Sequence, residues 1–273
     1  MPTITVNGVD LFYKESGRGN ETIVFSHGLL MDHTMFEAQR AAFEGRYRVI
    51  AYDHRGQGKS PAPGAALDMD TVSEDAAALI EALGAAPCHF AGLSMGGFTG
   101  MRVAARRPEL VRSLTLMNTG AQKEPVSSRL RYNLLAQLVK IVGTKPFTGI
   151  AVEELFGKST RGSADPEKRK MLEEWTAKLR TRPKDTSRAL LGVMNRPEFS
   201  VQELAAIRCP TLIITGEDDT PQPPGNSEKL AAAIHNSRLV RIPGCGHSSS
   251  LEAPEAVIQA MRELMEGKSV KAN

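Results

Sequence analysis

The sequence lacks several features that would assign it to common classes of protein. It has only three cysteines in 273 residues, Cys88, Cys209 and Cys245, and no two of them form a C-x-x-C pair. An odd and small number of cysteines argues against a disulfide framework and favours a reducing compartment. No apolar run approaches the ~18 residues that a membrane-spanning helix needs.

Excess charge of one sign is also missing. The net charge is +3, and no run of Lys and Arg is interleaved with aromatic residues, so we expect no nucleic-acid partner. The first residues show neither the basic nor the apolar segment of an export signal, so we expect a cytoplasmic protein. Since no apolar run is long enough to span a bilayer, we also expect no membrane partner. No group of His, Cys, Asp and Glu has the spacing of metal ligands, so we expect no metal and no cofactor.

What the sequence does contain is an alternation of short apolar, β-rich runs with helical patterns. The opening residues alternate apolar and polar and turn at Asn7-Gly8, which is typical of a β-hairpin. Such an alternation favours an α/β fold, with a mostly parallel central sheet covered by helices on both faces. Ligands of such sheets bind at the carboxyl ends of the strands. Six further runs are predicted strands: 22–25, 47–51, 88–91, 113–117, 211–215 and 238–242.

The alternation stops between residues 121 and 208, where only helical patterns occur, over 128–142, 166–179 and 183–194. This segment has 17 Lys and Arg against 10 Asp and Glu, a net charge of +7, which leaves −4 for the remainder of the chain. An insertion of this length must have structure of its own. We therefore predict a helical cap at 121–208, inserted into a core formed by residues 1–120 and 209–273.

A serine between glycines follows the predicted strand at 88–91. The residues Gly92-Leu93-Ser94-Met95-Gly96 fit the pattern G-x-S-x-G, in which a tight turn from strand to helix exposes a nucleophilic serine. The flanking positions leave no room for side chains, and the following helix presents N–H groups where an oxyanion forms. Since the pattern also occurs by chance in glycine-rich loops, its meaning depends on a base and an acid elsewhere in the chain.

A serine hydroxyl needs a general base, and His247 is the histidine best placed to supply it. It lies in a loop at 243–247, directly after the last predicted strand, and this loop points back over the carboxyl edge of the sheet. The other five histidines lie in or beside earlier strands or at a helix end, where structural roles suit them: His27, His33, His54, His89 and His235.

The histidine in turn needs a carboxylate to fix its tautomer. Glu217, Asp218 and Asp219 end the predicted strand directly upstream of the strand of His247. From these residues alone, one of the three acids is the candidate and the other two belong to a solvated turn. The order of serine, acid and histidine along the chain is the one expected of a sheet enzyme with this kind of turn.

Two loops complete the predicted site. The oxyanion hole needs a second N–H besides that of Met95, and the sharp turn that ends the first core strand places the N–H of Leu29 to supply it. The stretch 55–60 resembles the end of a phosphate-binding P-loop. However, Asp53 stands where the first glycine must be, and prolines follow where a helix must begin, so we predict no nucleotide binding.

Taken together, these motifs resemble those of the α/β-hydrolase fold over essentially the whole chain outside the cap. In that family the acid lies three residues after the glycine that ends its strand, which selects Asp219. The resemblance therefore implies a triad of Ser94, Asp219 and His247, with the 53–60 stretch as a loop bordering the site. The stretches that carry the resemblance are 26–28, 53–60, 92–97, 210–216 with Asp219, 244–247 and 251–255.

Within that family the sequence is similar to small carboxylesterases and enol-lactonases. Ser94 stands where haloalkane dehalogenases carry aspartate, and Leu29 stands where many perhydrolase-like sequences carry tryptophan. The cap shows no long apolar lid of the kind that true lipases have. We therefore expect a serine hydrolase that cleaves small to medium carboxylic esters or lactones through an acyl-enzyme.

Two alternatives stay open on the sequence. The first is an enol-lactone or carbon–carbon bond hydrolase acting on an anionic intermediate, which the basic cap favours. The second is a receptor that keeps the triad but senses a small molecule. The expected partner is in each case a small molecule, and the oligomeric state is open.

Overall fold

The computed structural model describes residues 2–62, 64 and 67–267. The strands of these residues form one eight-stranded sheet in the order β1-β2-β4-β3-β5-β6-β7-β8. The strands are β1 (Thr3–Val6), β2 (Val9–Ser16), β3 (Thr22–Ser26), β4 (Arg48–Tyr52), β5 (Cys88–Leu93), β6 (Val111–Met117), β7 (Thr211–Gly216) and β8 (Ser237–Ile242).

The sheet is mostly parallel, as predicted. Only the pairs β1–β2 and β2–β4 are antiparallel, and the five remaining pairs are parallel. Asn7 and Gly8 have φ angles of 45° and 71°, the left-handed backbone that a two-residue hairpin turn requires. The opening hairpin and the six further predicted strands are thus confirmed.

Helices cover both faces of the sheet and bury a hydrophobic cluster on each. One cluster includes Leu79 and Phe98, and the other includes Phe43 and Met261. The helices are α1 (Glu37–Phe43), α2 (Met69–Ala82), α3 (Met95–Arg106), α4 (Val126–Val142), α5 (Thr148–Leu155), α6 (Lys158–Arg161), α7 (Pro166–Arg180), α8 (Thr186–Met194), α9 (Val201–Ala205), α10 (Pro224–Ala233), α11 (Ser249–Glu252) and α12 (Pro254–Met265).

The central strands explain why the sequence showed continuous apolar runs. Every residue of β3, β5 and β7 is buried, since helices cover both faces of the sheet at these strands. The carboxyl ends of these parallel strands meet along one edge of the sheet. The residues that follow β3, β5 and β7 are therefore brought together there, and they include the three regions that the sequence singled out.

Residues 118–210, all of which the structure describes, contain α4 to α9 and no strand. The helix predicted at 183–194 begins later, at Thr186, because Pro183 to Asp185 form a turn closed by a hydrogen bond from Thr186 N to Pro183 O (3.0 Å). The helices α5, α6 and α9 were not predicted. That residues 121–208 act as a cap stays a prediction.

Two further features concern the described part of the chain as a whole. None of its helices is both long and apolar enough to cross a membrane. The cysteines Cys88, Cys209 and Cys245 are all free thiols.

Candidate active site

Ser94 occupies the turn between β5 and α3 in a strained backbone conformation. Its φ and ψ angles are 53° and −110°, a backbone conformation that residues other than glycine rarely adopt. The Ser94 N–H donates to Met117 O (2.8 Å), and the Ser94 carbonyl accepts a hydrogen bond from Thr119 Oγ1 (2.9 Å). These bonds to the end of β6 and to the residues after it hold the strained turn in place.

The glycines around Ser94 are required by close approach of the backbone. A Cβ atom at Gly92 would lie 2.1 Å from the carbonyl oxygen of Gly96, and one at Gly96 would lie 1.9 Å from the carbonyl oxygen of Ser26. Both distances are far inside van der Waals contact. The turn that exposes Ser94 therefore tolerates no side chain at either position.

Asp219 and His247 form a buried hydrogen-bonded pair. The Nδ1 atom of His247 lies 2.9 Å and 3.0 Å from the two carboxylate oxygens of Asp219, and both side chains are almost fully buried. Asp219 also accepts hydrogen bonds from Asn118 Nδ2 (2.8 Å) and from the N–H of Gln222 (2.9 Å). Asp218 is exposed, and its carboxylate accepts only a long bond from Ser159 Oγ (3.4 Å) among the described residues.

The surroundings of His247 favour its protonated form. Burial by itself lowers the pKa of His247, but the charge and hydrogen bond of Asp219, with the charges of Glu252 and Glu154, outweigh burial and raise the pKa above its usual value. A histidine that is stabilised as an imidazolium can hold a proton taken from a neighbouring hydroxyl.

Ser94 and His247 line the same cavity at the carboxyl edge of the sheet. Among the hydrogen bonds of the described residues, none joins the Ser94 hydroxyl to His247. Such bonds are often long before a substrate binds and tighten only in the complex. The structure thus brings the three predicted residues to one site, with the acid and the histidine already in contact.

The two predicted oxyanion donors belong to elements that adjoin Ser94. Met95 is the first residue of α3, so its N–H has no acceptor within the helix. Leu29 lines the cavity, and the neighbouring Gly28 is so close that a Cβ there would lie 3.6 Å from the Cβ of Ser94. Leu29 is in a turn closed by a hydrogen bond from Met31 N to Gly28 O (3.2 Å).

Gln57, which the sequence analysis did not single out, connects both of these elements. Its Oε1 accepts a hydrogen bond from the N–H of Leu30 (2.8 Å), and its Nε2 lies 3.2 Å from the sulfur of Met95. Leu30 has a φ angle of 67°, so the turn beside Leu29 is strained and depends on such support. Gln57 therefore braces the predicted oxyanion hole from the 53–60 loop.

The remaining residues of that loop are structural. The Asp53 carboxylate accepts hydrogen bonds from the N–H groups of His33 (2.7 Å) and Lys59 (2.8 Å), and the Nδ1 atom of His33 lies 2.9 Å from it. Burial by itself raises the pKa of Asp53, but the hydrogen bond with the His33 side chain and the charge of His27 outweigh burial and lower it. His27 is buried and accepts a hydrogen bond at Nε2 from the N–H of His54 (3.0 Å). These contacts fold the loop against the sheet.

The cavity has a volume of about 320 Å³ and lies between the carboxyl edge of the sheet and the helices α4, α5, α7 and α8. This volume is near the lower end of the ~300–1,000 Å³ typical of small-molecule sites. Most of its lining is apolar. The apolar side chains include Leu29, Leu30, Met31, Leu93, Phe98, Leu135, Val139, Phe147, Ile150, Leu155, Leu179, Leu190, Val193 and Met194.

Apart from His247, the charged side chains that line this cavity among the described residues are four, and they form two pairs of opposite charge. Arg196 Nη2 lies 2.9 Å from Glu124 Oε1, and Arg131 Nη2 lies 3.5 Å from Glu154 Oε1. The Tyr132 hydroxyl also donates to Glu154 (3.1 Å), and burial, with the charge of Glu154, raises the pKa of Tyr132 to about 12. The charges in the cavity therefore cancel.

Five basic residues of the 121–208 segment that could attract an anionic substrate lie away from the cavity. None of the following, all within the described residues, lines the cavity: Lys168, Arg169, Lys170, Lys178 and Arg180. Lys178 donates to Thr34, and its ammonium lies 4.2 Å from the ring centre of Trp175. Of these residues, Arg169, Lys170 and Arg180 are exposed to solvent.

Two residues that sequence analysis missed hold the site together. Asn118, with a φ angle of 49°, donates from Nδ2 both to Asp219 and to Gly246 O (3.0 Å). The buried carboxylate of Glu252 accepts hydrogen bonds from the N–H groups of Gly246 (3.2 Å) and Ser248 (3.0 Å), on either side of His247. Asn118 directly follows β6, and a polar residue at that end of a central strand was the signal that could have identified it.

Within the described part of the chain, no three His, Cys, Asp or Glu side chains come together in an arrangement that could hold a metal ion.

Comparisons with known proteins match this architecture. A family model described as alpha/beta hydrolase fold matches residues 21–254. A Klebsiella pneumoniae protein named "Putative carbamate hydrolase RutD" is 30% identical over 234 residues, 85% of this chain and 86% of its own. A thermophilic esterase from Thermogutta terrifontis is 29% identical, with a TM-score of 0.88 over 97% of this chain and 96% of its own. The enol-lactonase from Burkholderia xenovorans LB400 is 27% identical, with a TM-score of 0.87 over 97% of this chain and 100% of its own.

Proposed function

The chain belongs to the α/β-hydrolase family and is a hydrolase, and we propose that it cleaves small to medium, uncharged carboxylic esters or lactones. Ser94 is the nucleophile, His247 the general base and acid, and Asp219 the residue that orients His247. The N–H groups of Leu29 and Met95 hold the oxyanion. The observation that carries this proposal is the buried Asp219–His247 pair beside a serine in a strained turn, all at one cavity.

The chemistry follows from these positions. The Ser94 oxygen attacks the ester carbonyl while His247 Nε2 takes the hydroxyl proton, and the carbonyl oxygen becomes an oxyanion between the two N–H groups. The intermediate expels the alcohol, which receives the proton from His247, and an acyl-enzyme remains. A water molecule then repeats the sequence, with His247 as base, and releases the carboxylic acid and free Ser94.

The charges that line the cavity support an uncharged substrate. Both arginines already pair with glutamates, Arg196 with Glu124 and Arg131 with Glu154. An anionic substrate would have to separate the buried Arg196–Glu124 pair or leave its own charge unpaired beside it, and either change costs free energy. The Arg131 side chain is mostly exposed, so the argument rests on the Arg196–Glu124 pair. This weakens the alternative of an anionic catabolic intermediate, which rested on the basic cap.

The named relatives support hydrolysis at an acyl carbon. The esterase and the enol-lactonase act on esters and lactones by name, and the Klebsiella relative is named for carbamates. Attack by a serine on a carbonyl is common to all three substrate classes. The apolar lining around Ser94 suits the acyl chain of an ester or the ring of a lactone better than a polar carbamate.

The test is a substrate panel with the wild type and Ser94→Ala. We expect steady turnover of neutral esters and lactones, a lower kcat/KM for matched anionic esters, and a loss on the order of 10⁶ in turnover for Ser94→Ala. A serine-directed inhibitor should label Ser94 alone. If Ser94→Ala keeps a tenth of the wild-type activity, the assignment of the nucleophile is wrong. If turnover of every substrate stops after about one event per protein, the receptor alternative replaces the enzyme.

A further inference from the structure

An apolar stripe runs along the outer surface of α4. Its six side chains are between 40% and 68% exposed, and they recur at intervals of three or four residues over the full 17 residues of the helix. Contiguous exposed apolar surface on a protein marks a site of interaction. The side chains of the stripe are Val126, Leu130, Leu134, Leu138, Ile141 and Val142.

The other two faces of α4 already have neighbours. One face lines the cavity with Tyr132, Leu135 and Val139. Another packs against α8, where Asn133 and Asn195 exchange hydrogen bonds of 3.3 Å and 2.8 Å. These contacts fix the orientation of α4, so the apolar stripe faces outward. A rotation of α4 that buried the stripe would break them.

The charged side chains of α4 itself are all basic, and one of them, Arg131, pairs with Glu154 of α5. The sequence of α4 contains Arg129, Arg131 and Lys140 and no acidic residue, and the exposed Lys145 follows its end. The neighbouring α8 contains Arg188 and no acidic residue, and Asp185 before it lies 3.7 Å from Arg188. A helix with an apolar face flanked by Lys and Arg is the pattern of a segment that binds an anionic membrane surface.

We propose that the α4 stripe docks onto the surface of an anionic phospholipid bilayer. A second copy of the chain is a poorer occupant, because a two-fold contact through the stripe would bring two helices without acidic residues against each other. An anionic lipid surface instead matches both features, with lipid chains against the stripe and headgroups against the flanking cations. The expectation of no membrane partner rested on the absence of a spanning segment, which surface docking does not need.

The stripe also lies next to an edge of the cavity. Arg131 and Ile150 both line the cavity and are exposed, and α4 is joined to α5 at this point by the hydrogen bond from Tyr132 to Glu154. Docking through α4 would therefore bring this edge of the cavity close to the lipid surface. An apolar substrate dissolved in the bilayer would then have a short path to Ser94.

The experiment is sedimentation of the full chain with vesicles of phosphatidylcholine alone and of phosphatidylcholine mixed with phosphatidylglycerol. The stripe variant is Leu130→Gln with Leu134→Gln. Its matched control is Val201→Gln, which removes an equally exposed apolar side chain from α9, outside the stripe. A charge variant, Lys140→Gln with Lys145→Gln, tests the cations. Hydrolysis of a short soluble ester by each variant shows that the fold and the Ser94 site are intact, separately from binding.

We expect the wild type and Val201→Gln to bind the anionic vesicles, and binding to weaken as salt rises. The stripe variant should bind roughly tenfold or more weakly, and the charge variant should lose its preference for anionic vesicles. The proposal is wrong if the wild type does not bind anionic vesicles, or if Val201→Gln weakens binding as much as the stripe variant. It is also wrong if sedimentation velocity shows a dimer that the stripe variant abolishes, which would make a second copy the occupant.

Discussion

Replacing Asp219 by asparagine tests the candidate site at the point where the structure is most specific. Both oxygens of the Asp219 carboxylate face hydrogen-bond donors. Gln222 N donates to Oδ1, Asn118 Nδ2 donates to Oδ2, and His247 Nδ1 lies within hydrogen-bond distance of both. An asparagine must place its NH₂ group against one of these donors. Asn118 could rotate its amide to receive that NH₂, but it would then turn its oxygen toward the carbonyl of Gly246.

The expected loss follows from this conflict. One buried donor without an acceptor costs about 1–3 kcal/mol of the free energy of unfolding. The larger effect is on activity, because an asparagine stabilises the wrong tautomer of His247. The equivalent change in a serine protease lowers kcat about 10⁴-fold. Asp218→Asn is the matched control. Since Asp218 is exposed and accepts only a 3.4 Å bond from Ser159, that change should cost at most a few-fold.

The pH profile separates orientation of His247 from a merely structural effect. In the wild type the carboxylates around His247, Asp219 foremost among them, raise its pKa against the opposing effect of burial. Because the general base must be neutral, kcat/KM should fall as the pH drops through a value above the usual 6.5. In Asp219→Asn the effect of burial is opposed less strongly, so the pKa of His247 falls and the acid limb of the residual activity should move to lower pH.

The assay is kcat/KM for a neutral chromogenic ester from pH 5 to 9, together with urea unfolding of each variant. If Asp218→Asn is the more damaging change, the acid is Asp218 and the geometry of the 216–219 turn has been misread. If both variants are nearly as active as the wild type, the carboxylate that orients His247 lies elsewhere. An acid limb that stays in place in Asp219→Asn would contradict the electrostatic coupling of the pair.

Three further predictions use other parts of the site. Gly92→Ala should abolish ester turnover, since its Cβ would lie 2.1 Å from a backbone oxygen. The control Gly149→Ala, whose Cβ would meet no atom within 4 Å, should keep wild-type turnover, and circular dichroism shows whether each variant is folded. Gln57→Ala should lower kcat about tenfold with little change in KM, because the N–H of Leu30 loses its acceptor beside the oxyanion hole; an equal rise in KM would point to substrate binding instead. Neutralising the three basic residues at 168–170 should leave kcat/KM unchanged for neutral and anionic esters alike, because these residues do not line the cavity. A selective, salt-dependent loss for anionic esters would instead show that the positive charge of the segment 121–208 attracts an anionic substrate.

The sequence was most informative where one physical constraint acts on a short stretch. The apolar runs of β3, β5 and β7 are continuous because both faces are buried, and this pattern predicts a parallel sheet without knowledge of any contact. The glycines at 92 and 96 are dictated by a turn only a few residues long. Chain order then placed Asp219 and His247 at the same edge, since both follow neighbouring parallel strands.

Residues whose roles depend on distant partners could not be predicted in this way. Gln57 contacts Leu30 and Met95, which are 27 and 38 positions away along the chain. Glu252 is in an ordinary acidic helical pattern, and only the fold shows that its carboxylate accepts hydrogen bonds on both sides of His247. No local pattern distinguishes such side chains from solvated ones.

The net charge of the segment 121–208 is a poor guide to the charge of the substrate. Its excess of basic residues suggested an anionic substrate, but the substrate meets only the side chains that line the cavity, and there Arg131 and Arg196 are each paired with a glutamate. Conversely, the spacing of Leu130 and Leu134 is what a buried helix face would show, and only the packing of α4 against α8 and the cavity leaves these side chains exposed. The exposed Lys140 and the apolar stripe instead lie together on the outer surface of α4. Their joint position favours a role in contact with an anionic surface over a role in selecting the substrate.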